Sequence, residues 1–288
     1  MITDKGNEGV TFGSEREILA RSVETIRDSC DILIALTHTG TRGDSLLAET
    51  VDGLDLIVGG HEHAVLKVPN VVNGVPIVQA GSYGRFVGLG EVLFDREAGR
   101  VVKVNGSLQS AASLPPPGPD VEAVVHKWES QVSDIVDVTI DFSSRAHLGK
   151  DKHAFTETIL VRRTNADFAY YNEGGIRSHI PEGEVTIRRI WEMHPFGNTL
   201  VLATIRGSRI GGVLRDRIQS EGHVIDPDRM YTVATTDYAT QQSRVHRHIG
   251  VPDEVRGLGE LIRDTVISHI TTVGVDGGAP YFQLGHSR

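Results

Sequence analysis

The sequence predicts an α/β protein in two parts, a partial α/β layer followed by a mixed α/β segment. Three observations predict it. Helical and strand patterns alternate over residues 14–58, strand patterns then cluster between 76 and 108, and a proline-rich stretch separates these from a second alternating region that runs to Arg288.

Ser14 precedes a helical pattern over Glu15–Ser29, with Glu17 spaced to complete a capping box. The apolar run Asp31-Ile-Leu-Ile-Ala-Leu36 reads as a buried strand by length and composition. Gly43–Val51 reads as a short helix and Leu54–Val58 as a second strand, with Pro76–Ala80, Gly88–Asp95 and Val101–Leu108 as further strands in a sheet of hairpins. The stretch Ser113-Leu-Pro-Pro-Pro-Gly-Pro-Asp120 holds four prolines in eight residues and can continue neither a helix nor a central strand. It sets the expected division into 1–112, a linker 113–120, and 121–288. Asp120 is placed to cap an amphipathic helix from Val121 to about Val136.

The 288 residues are enough for a sizeable buried core, and 39% hydrophobic with 23% charged residues lies in the ordinary globular range. The net charge of −9 lacks the basic footprint on which general nucleic-acid binding relies. No run approaches the ~18 apolar residues of a spanning helix. The polar start, Met1 to Val10, carries no signal-peptide core. The single cysteine, Cys30, excludes an intramolecular disulfide and leaves the redox compartment open.

Of the 13 histidines, three fall just past apolar strands: His38 after Leu36, and His61 and His63 after Val58. In open α/β sheets, ligands bind at the carboxyl ends of strands. Imidazole suits zinc, manganese or iron, and a His-x-His loop can offer both rings to neighbouring metals. Gly59 and Gly60 permit the sharp turn before them. The simpler alternative is that these are surface-loop histidines.

Thr37-His-Thr-Gly40, Asp52-Gly-Leu-Asp-Leu-Ile-Val-Gly-Gly-His-Glu-His63 and Pro76-Ile-Val-Gln-Ala-Gly-Ser-Tyr-Gly84 resemble the calcineurin-like metallophosphatase domain of 5′-nucleotidases and the related 2′,3′-cyclic phosphodiesterases. Past the linker, Asn172-Glu-Gly-Gly-Ile-Arg177, Ile180-Pro-Glu-Gly183 and Pro195-Phe-Gly-Asn198 resemble that family's C-terminal, substrate-binding domain. The resemblance implies a partial metallophosphatase sandwich followed by that mixed α/β domain, metal-dependent hydrolysis of nucleotide phosphoesters, and two divalent cations such as zinc or manganese. Two cations would generate the nucleophile and neutralise the transferring phosphoryl group. His38 and His61 would bind one metal and His63 the other. Asn172, Gly174, Gly175 and Arg177 would form a phosphate or ribose grip, Phe196 would stack on a purine, and Asn198 would bond its edge. Arg145, Arg162 and Arg163 are unranked candidates for further phosphate contacts. The alternative for each motif is a plain glycine turn, with Phe196 packed in a core.

The sequence also departs from the family pattern. The family's Asp-x-His, bridging Gly-Asp and Gly-Asn-His motifs should precede His38, and Gly6-Asn7-Glu8 echoes the last of these without its histidine. No catalytic residue is therefore assigned. Three imidazoles without a carboxylate are expected to hold metal at partial occupancy, so this chain alone is expected to be weakly active or inactive. The strand around Asp31–Leu36 is expected to lack neighbours. The missing motifs would be supplied by a separate chain or lost from this one; alternatively the chain is a non-catalytic nucleotide-binding module, or a related sulfur-compound hydrolase. The family's glycine-rich second stacking segment is not found after Tyr231–Tyr238, where Tyr238 is the available aromatic. Asp237 reads as a turn or cap residue. Members of the family are typically exported.

Overall fold

The computed structural model describes residues 9–276 and divides into two compact units, Gly9–Pro119 and, over its described residues, 120–276. The Gly6-Asn7-Glu8 echo lies outside the described residues.

In the first unit, α1 (Glu15–Ile26) starts at Ser14, whose hydroxyl accepts from the Glu17 N–H at 3.5 Å. It leads through a 3-10 turn to β1 (Ile34–Leu36), α2 (Gly40–Thr50) and β2 (Leu56–Val58). Then come β3 (Asn70–Val72), β4 (Val75–Val78) and the long hairpin of β5 (Phe86–Asp95) and β6 (Arg100–Ser110). Strands β1, β2 and β4 are parallel, with β3 antiparallel on the outer side of β4. Val23, Leu47, Ala48, Leu54, Ile57 and Ile77 form the core beneath them.

The expected strand from Asp31 shortens to Ile34–Leu36 for a physical reason. Arg27 takes the Cys30 and Asp31 carbonyls, and the Asp55 carboxylate takes the Leu33 N–H at 2.8 Å, so side chains replace ladder bonds there. The strand is not without neighbours, since β1 pairs with β2 along one edge. Its other face is open, and Leu36 is 85% exposed.

In the second unit, α3 (Pro119–Val136) begins one residue before the expected cap, with Pro119 as its first residue and Asp120 in its first turn. A proline fits there because that N–H has no helical partner anyway. There follow β7 (Thr139–Ser143), α4 (Lys150–Thr164), β8 (Phe168–Ala169), β9 (Gly183–Thr186), α5 (Ile187–Met193), β10 (Thr199–Arg206) and α6 (Gly212–Ser220). The unit ends with β11 (Met230–Thr236), α7 (Asp237–Gln241), α8 (Ser243–Ile249), β12 (Glu254–Leu261) and α9 (Ile262–Val273). The main sheet runs β12-β10-β11-β8, with β10 antiparallel to both neighbours and β11 parallel to β8. Alternation along these strands feeds two cores: Leu200, Leu202 and Ala234 join one, while Ala203, Ile205 and Val233 join the other.

A buried ion pair fixes how α4 and α6 meet the sheet. Glu157 on α4 is 1% exposed, accepts the Tyr171 N–H at 2.8 Å and lies 3.1 Å from Arg217 on α6. Burial pushes the Glu157 carboxyl up to about 7, against the opposing pull of Arg217 and the Tyr171 N–H. Breaking such a pair by removing one partner typically costs about 3–5 kcal/mol. Arg217→Ala is expected to lose stability on that scale in denaturant unfolding at neutral pH. Because the folded pKa lies above the unfolded value, the folded state keeps a proton that the unfolded chain releases, and this contribution disappears as pH rises through the folded pKa. Without Arg217 the carboxyl rises further, so the loss should be larger at pH 8 than at pH 5. An equal loss at both would show that Glu157 does not titrate in this range.

Candidate functional site

In the first unit, the turns after β1 and β2 carry the three histidines. The His38 and His61 rings meet edge to face with centroids 5.2 Å apart, and His63 turns instead to Tyr83 at 5.4 Å. All three are exposed. A Cβ at Gly60 would stand 2.9 Å from His38 Nδ1, so a glycine there lets the two loops approach. Both His61 and His63 have positive φ, 92° and 64°, a conformation that favours glycine. Glu62 between them reaches back to accept the Thr41 N–H at the start of α2, and the Thr41 hydroxyl together with this N–H holds its carboxyl below the usual range.

Asp44 on α2 escaped the sequence reading. It is fully buried behind Gly59, and its Oδ1 accepts the Thr37 and Thr39 hydroxyls, both at 2.6 Å. Its Oδ2 is buried without a donor. Among the described residues, no three His, Cys, Asp or Glu side chains are grouped to hold a metal ion. The facing pair His38 and His61 offers two donors, which is short of a complete centre.

In the second unit, the structure brings the two glycine-containing motifs together. The Arg177 N–H donates to the Met193 carbonyl at 2.9 Å, and the Arg177 guanidinium lies 5.2 Å above the Phe196 ring. Phe196 is 40% exposed and is not a core residue. A Cβ at Gly175 would collide with the Tyr171 ring, so the 173–175 turn can cross it only as glycine, while Gly174 has open space around it. Asn172 Oδ1 is buried with no donor.

The Phe196 loop is pinned at both ends. Asn198 accepts the Ile262 N–H through its backbone carbonyl at 3.1 Å, and the Thr199 N–H donates to Asp237 Oδ1 at 2.9 Å. Asp237 therefore acts as a loop tether. At the other end His194, 1% exposed, lies 3.5 Å from the Thr156 hydroxyl and 3.3 Å from the Tyr171 hydroxyl. Burial, reinforced by the nearby His153, Arg263 and Lys152, pushes His194 down to about 3, so the ring is neutral. Burial likewise raises the Tyr171 phenol to about 12, opposed by the Asn198 amide that hydrogen-bonds it. His194, Tyr171 and Lys152, which donates to the Ile176 carbonyl at 3.4 Å, were missed by sequence reading. A histidine directly before Pro195-Phe196 was the available signal.

The other candidates lie apart. Arg145 pairs with Asp151 at 2.7 Å and Arg163 with Glu260. Arg162 lines a cavity of about 390 Å³ with Arg145, His147, Phe155 and Asp276, and none of Asn172, Arg177, Phe196 or Asn198 lines it. Its size does not make it the site, since the exposed Phe196 ring and the Arg177 guanidinium converge elsewhere. Tyr238 hydrogen-bonds Arg244.

Residues 141–224 match the family model of the 5′-nucleotidase C-terminal domain. The trifunctional nucleotide phosphoesterase protein YfkN of Bacillus subtilis (strain 168) is 28% identical over 239 residues, covering 76% of this chain and 16% of that protein. The 5′-nucleotidase of Homo sapiens is 28% identical over 247 residues, covering 71% of this chain and 43% of its own length. The chain thus spans less than half of these curated relatives, in each of which the matching residues belong to one longer polypeptide, so a separate partner chain finds no support there. Among solved structures, a 5′-nucleotidase precursor from Thermus thermophilus shares the fold with a TM-score of 0.78 at 21% identity, covering 93% of this chain and 67% of that one. The Thermus thermophilus sulfate thiohydrolase SoxB gives 0.73 at 19% identity, covering 93% and 57%. The chain thus carries a match to the 5′-nucleotidase C-terminal domain over 141–224, and it is similar to 5′-nucleotidases in sequence and in fold.

Proposed function

We propose that this chain serves the metal-dependent hydrolysis of nucleotide phosphoesters, its 120–276 unit holding the nucleotide and its 9–119 unit contributing imidazoles to a divalent-metal centre. The observation that carries the reading is the convergence of Arg177 over Phe196, an exposed aromatic face beside a guanidinium. Such a pair suits a planar base and an anionic or ribose oxygen, because aromatic rings stack on any base and guanidinium donates in a fork. Asn172 and Asn198 add amide groups at the same loops. The thiohydrolase shares only the fold, and the relatives matched by sequence support the nucleotide reading over a sulfur-compound substrate.

In the metal-side unit, His38 and His61 would supply two ligands, and His63, turned to Tyr83, would have to rotate to join a second ion. Two neutral imidazoles without a carboxylate hold a divalent ion weakly.

Titration calorimetry with AMP tests the pocket. Phe196→Ala should weaken binding by about 1–3 kcal/mol through lost stacking, and Arg177→Ala by about 1.5–3 kcal/mol through a lost charged hydrogen bond. Unchanged affinity in both variants would remove the nucleotide reading. In a phosphate-release assay with AMP and manganese, the 288-residue polypeptide is expected to turn over slowly or not at all. Rapid metal-dependent release that vanishes in His61→Ala would show instead that the histidines present suffice.

A further inference from the structure

One cation of the second unit is buried without being satisfied. Arg263, in the first turn of α9, is only 8% exposed, and its Nε is closed off from solvent with no acceptor. Among the described residues its guanidinium makes no hydrogen bond. It lies instead 3.6 Å from the centre of the Trp191 ring and 3.8 Å from the Asp264 carboxylate. Asp264 is a weak counter-charge, since its side chain is 63% exposed and water screens it. An aromatic face replaces only part of the hydration that burial takes from a cation. A guanidinium held in this way lowers stability, and an uncharged side chain of similar length would pack there at less cost.

The charge sits beside the Phe196 loop. The N–H of Ile262, the residue before it, holds the Asn198 carbonyl at 3.1 Å, and Trp191 stands on α5, which leads into His194-Pro195-Phe196. Burial is the main cause that keeps His194 neutral, and Arg263 adds to it along with His153 and Lys152, so the charge is felt within the support of the loop.

We propose that Arg263 is a buried specificity charge, which adds positive potential at the Phe196 loop from behind Trp191 and thereby selects ligands that carry negative charge, a nucleotide over its nucleoside. The inference rests on the reading of these loops as a nucleotide site. Arg177 is exposed and able to reach a ligand directly, whereas Arg263 acts through space, because so little of it meets the surface. A charge held in the interior is screened much less than one in water, so its field extends to a ligand it never touches.

The test compares AMP with adenosine, which lacks only the phosphate, by titration calorimetry on the full chain. The wild type should bind AMP the more tightly. Arg263→Met keeps the length of the side chain and its packing on Trp191 but removes the charge. The ratio of AMP to adenosine affinity should then fall by about three- to tenfold, while adenosine binds as before. The same variant should melt about 2 °C higher or more, because a buried and unsatisfied charge is gone. A residue kept for the fold would show the reverse, a lower melting temperature with both ligands weakened together and their ratio intact. Arg263→Gln, also uncharged, reads the same ratio should Arg263→Met not fold. An unchanged ratio in a folded variant overturns the inference and leaves the nucleotide reading standing, and equal wild-type affinity for the two ligands overturns the inference as well. Failure of the wild type to bind either ligand overturns both.

Discussion

The loops that face the proposed nucleotide depend on one buried carboxylate. Strand β8 has only two ladder residues, yet the chain must run straight on through Tyr170 and Tyr171 to place Asn172. Side chains hold that extension. Glu157 takes the Tyr171 N–H, Arg217 takes the Ala169 carbonyl at 2.7 Å, and the Thr235 hydroxyl takes the Tyr170 carbonyl at 2.8 Å. Glu157 and Arg217 also bond each other, so α4, α6 and the end of β8 share a single polar knot inside an apolar core. Such a knot stabilises only when complete, which makes the position of Tyr171, and of everything bonded to its hydroxyl, all or nothing.

The histidine loop of the other unit is held by a different device. Positive φ at His61 and His63 costs on the order of 1–3 kcal/mol each and persists only where the surroundings over-determine it. Four bonds do so. Glu62 grips the N-terminus of α2, the Gly59 N–H donates to the Val78 carbonyl at 2.8 Å, and the Gln79 amide, oriented with its oxygen toward the loop, accepts the His63 and Ala64 N–H groups at 3.2 and 3.1 Å. The negative charge of Glu62 also suits the positive end of the helix it caps.

Periodicity made most helices and strands legible, because one-faced burial repeats with a fixed spacing. Contacts between distant segments were not legible. The first turn of α2, from Gly40, was missed since its cap is Glu62, far along the chain. Strand β3 was missed although Asn73-Gly74, both with positive φ, is a strong two-residue hairpin signal. The glycine-containing segments Asn172–Arg177 and Pro195–Asn198 could be picked out by composition. Their meeting through Arg177 and Met193 is a matter of tertiary packing. Asp44 lay in no pattern at all, and His194 was marked only by its place beside Pro195-Phe196, because a buried polar residue leaves no mark on hydrophobic spacing. Their partners, Thr37 and Thr39 for one and Thr156 and Tyr171 for the other, are visible only once the chain is folded.

The guanidinium resting on Phe196 has a thermodynamic consequence under the proposed reading. The ring is not bare before a ligand arrives; its face already carries a cation–π partner worth about 0.5–1 kcal/mol at an exposed position. A base that stacks on the face Arg177 covers would displace it, so binding on that face is an exchange of one ring guest for another. The net gain at Phe196 is then smaller than the stacking energy alone. The displaced guanidinium, freed from the ring, becomes available to the phosphate or ribose of the same molecule, which couples occupancy of the two ends. A free nucleobase would meet the cost of eviction without that return, so the pocket has a built-in bias toward ligands that carry both a flat ring and an anionic or hydroxyl-rich tail.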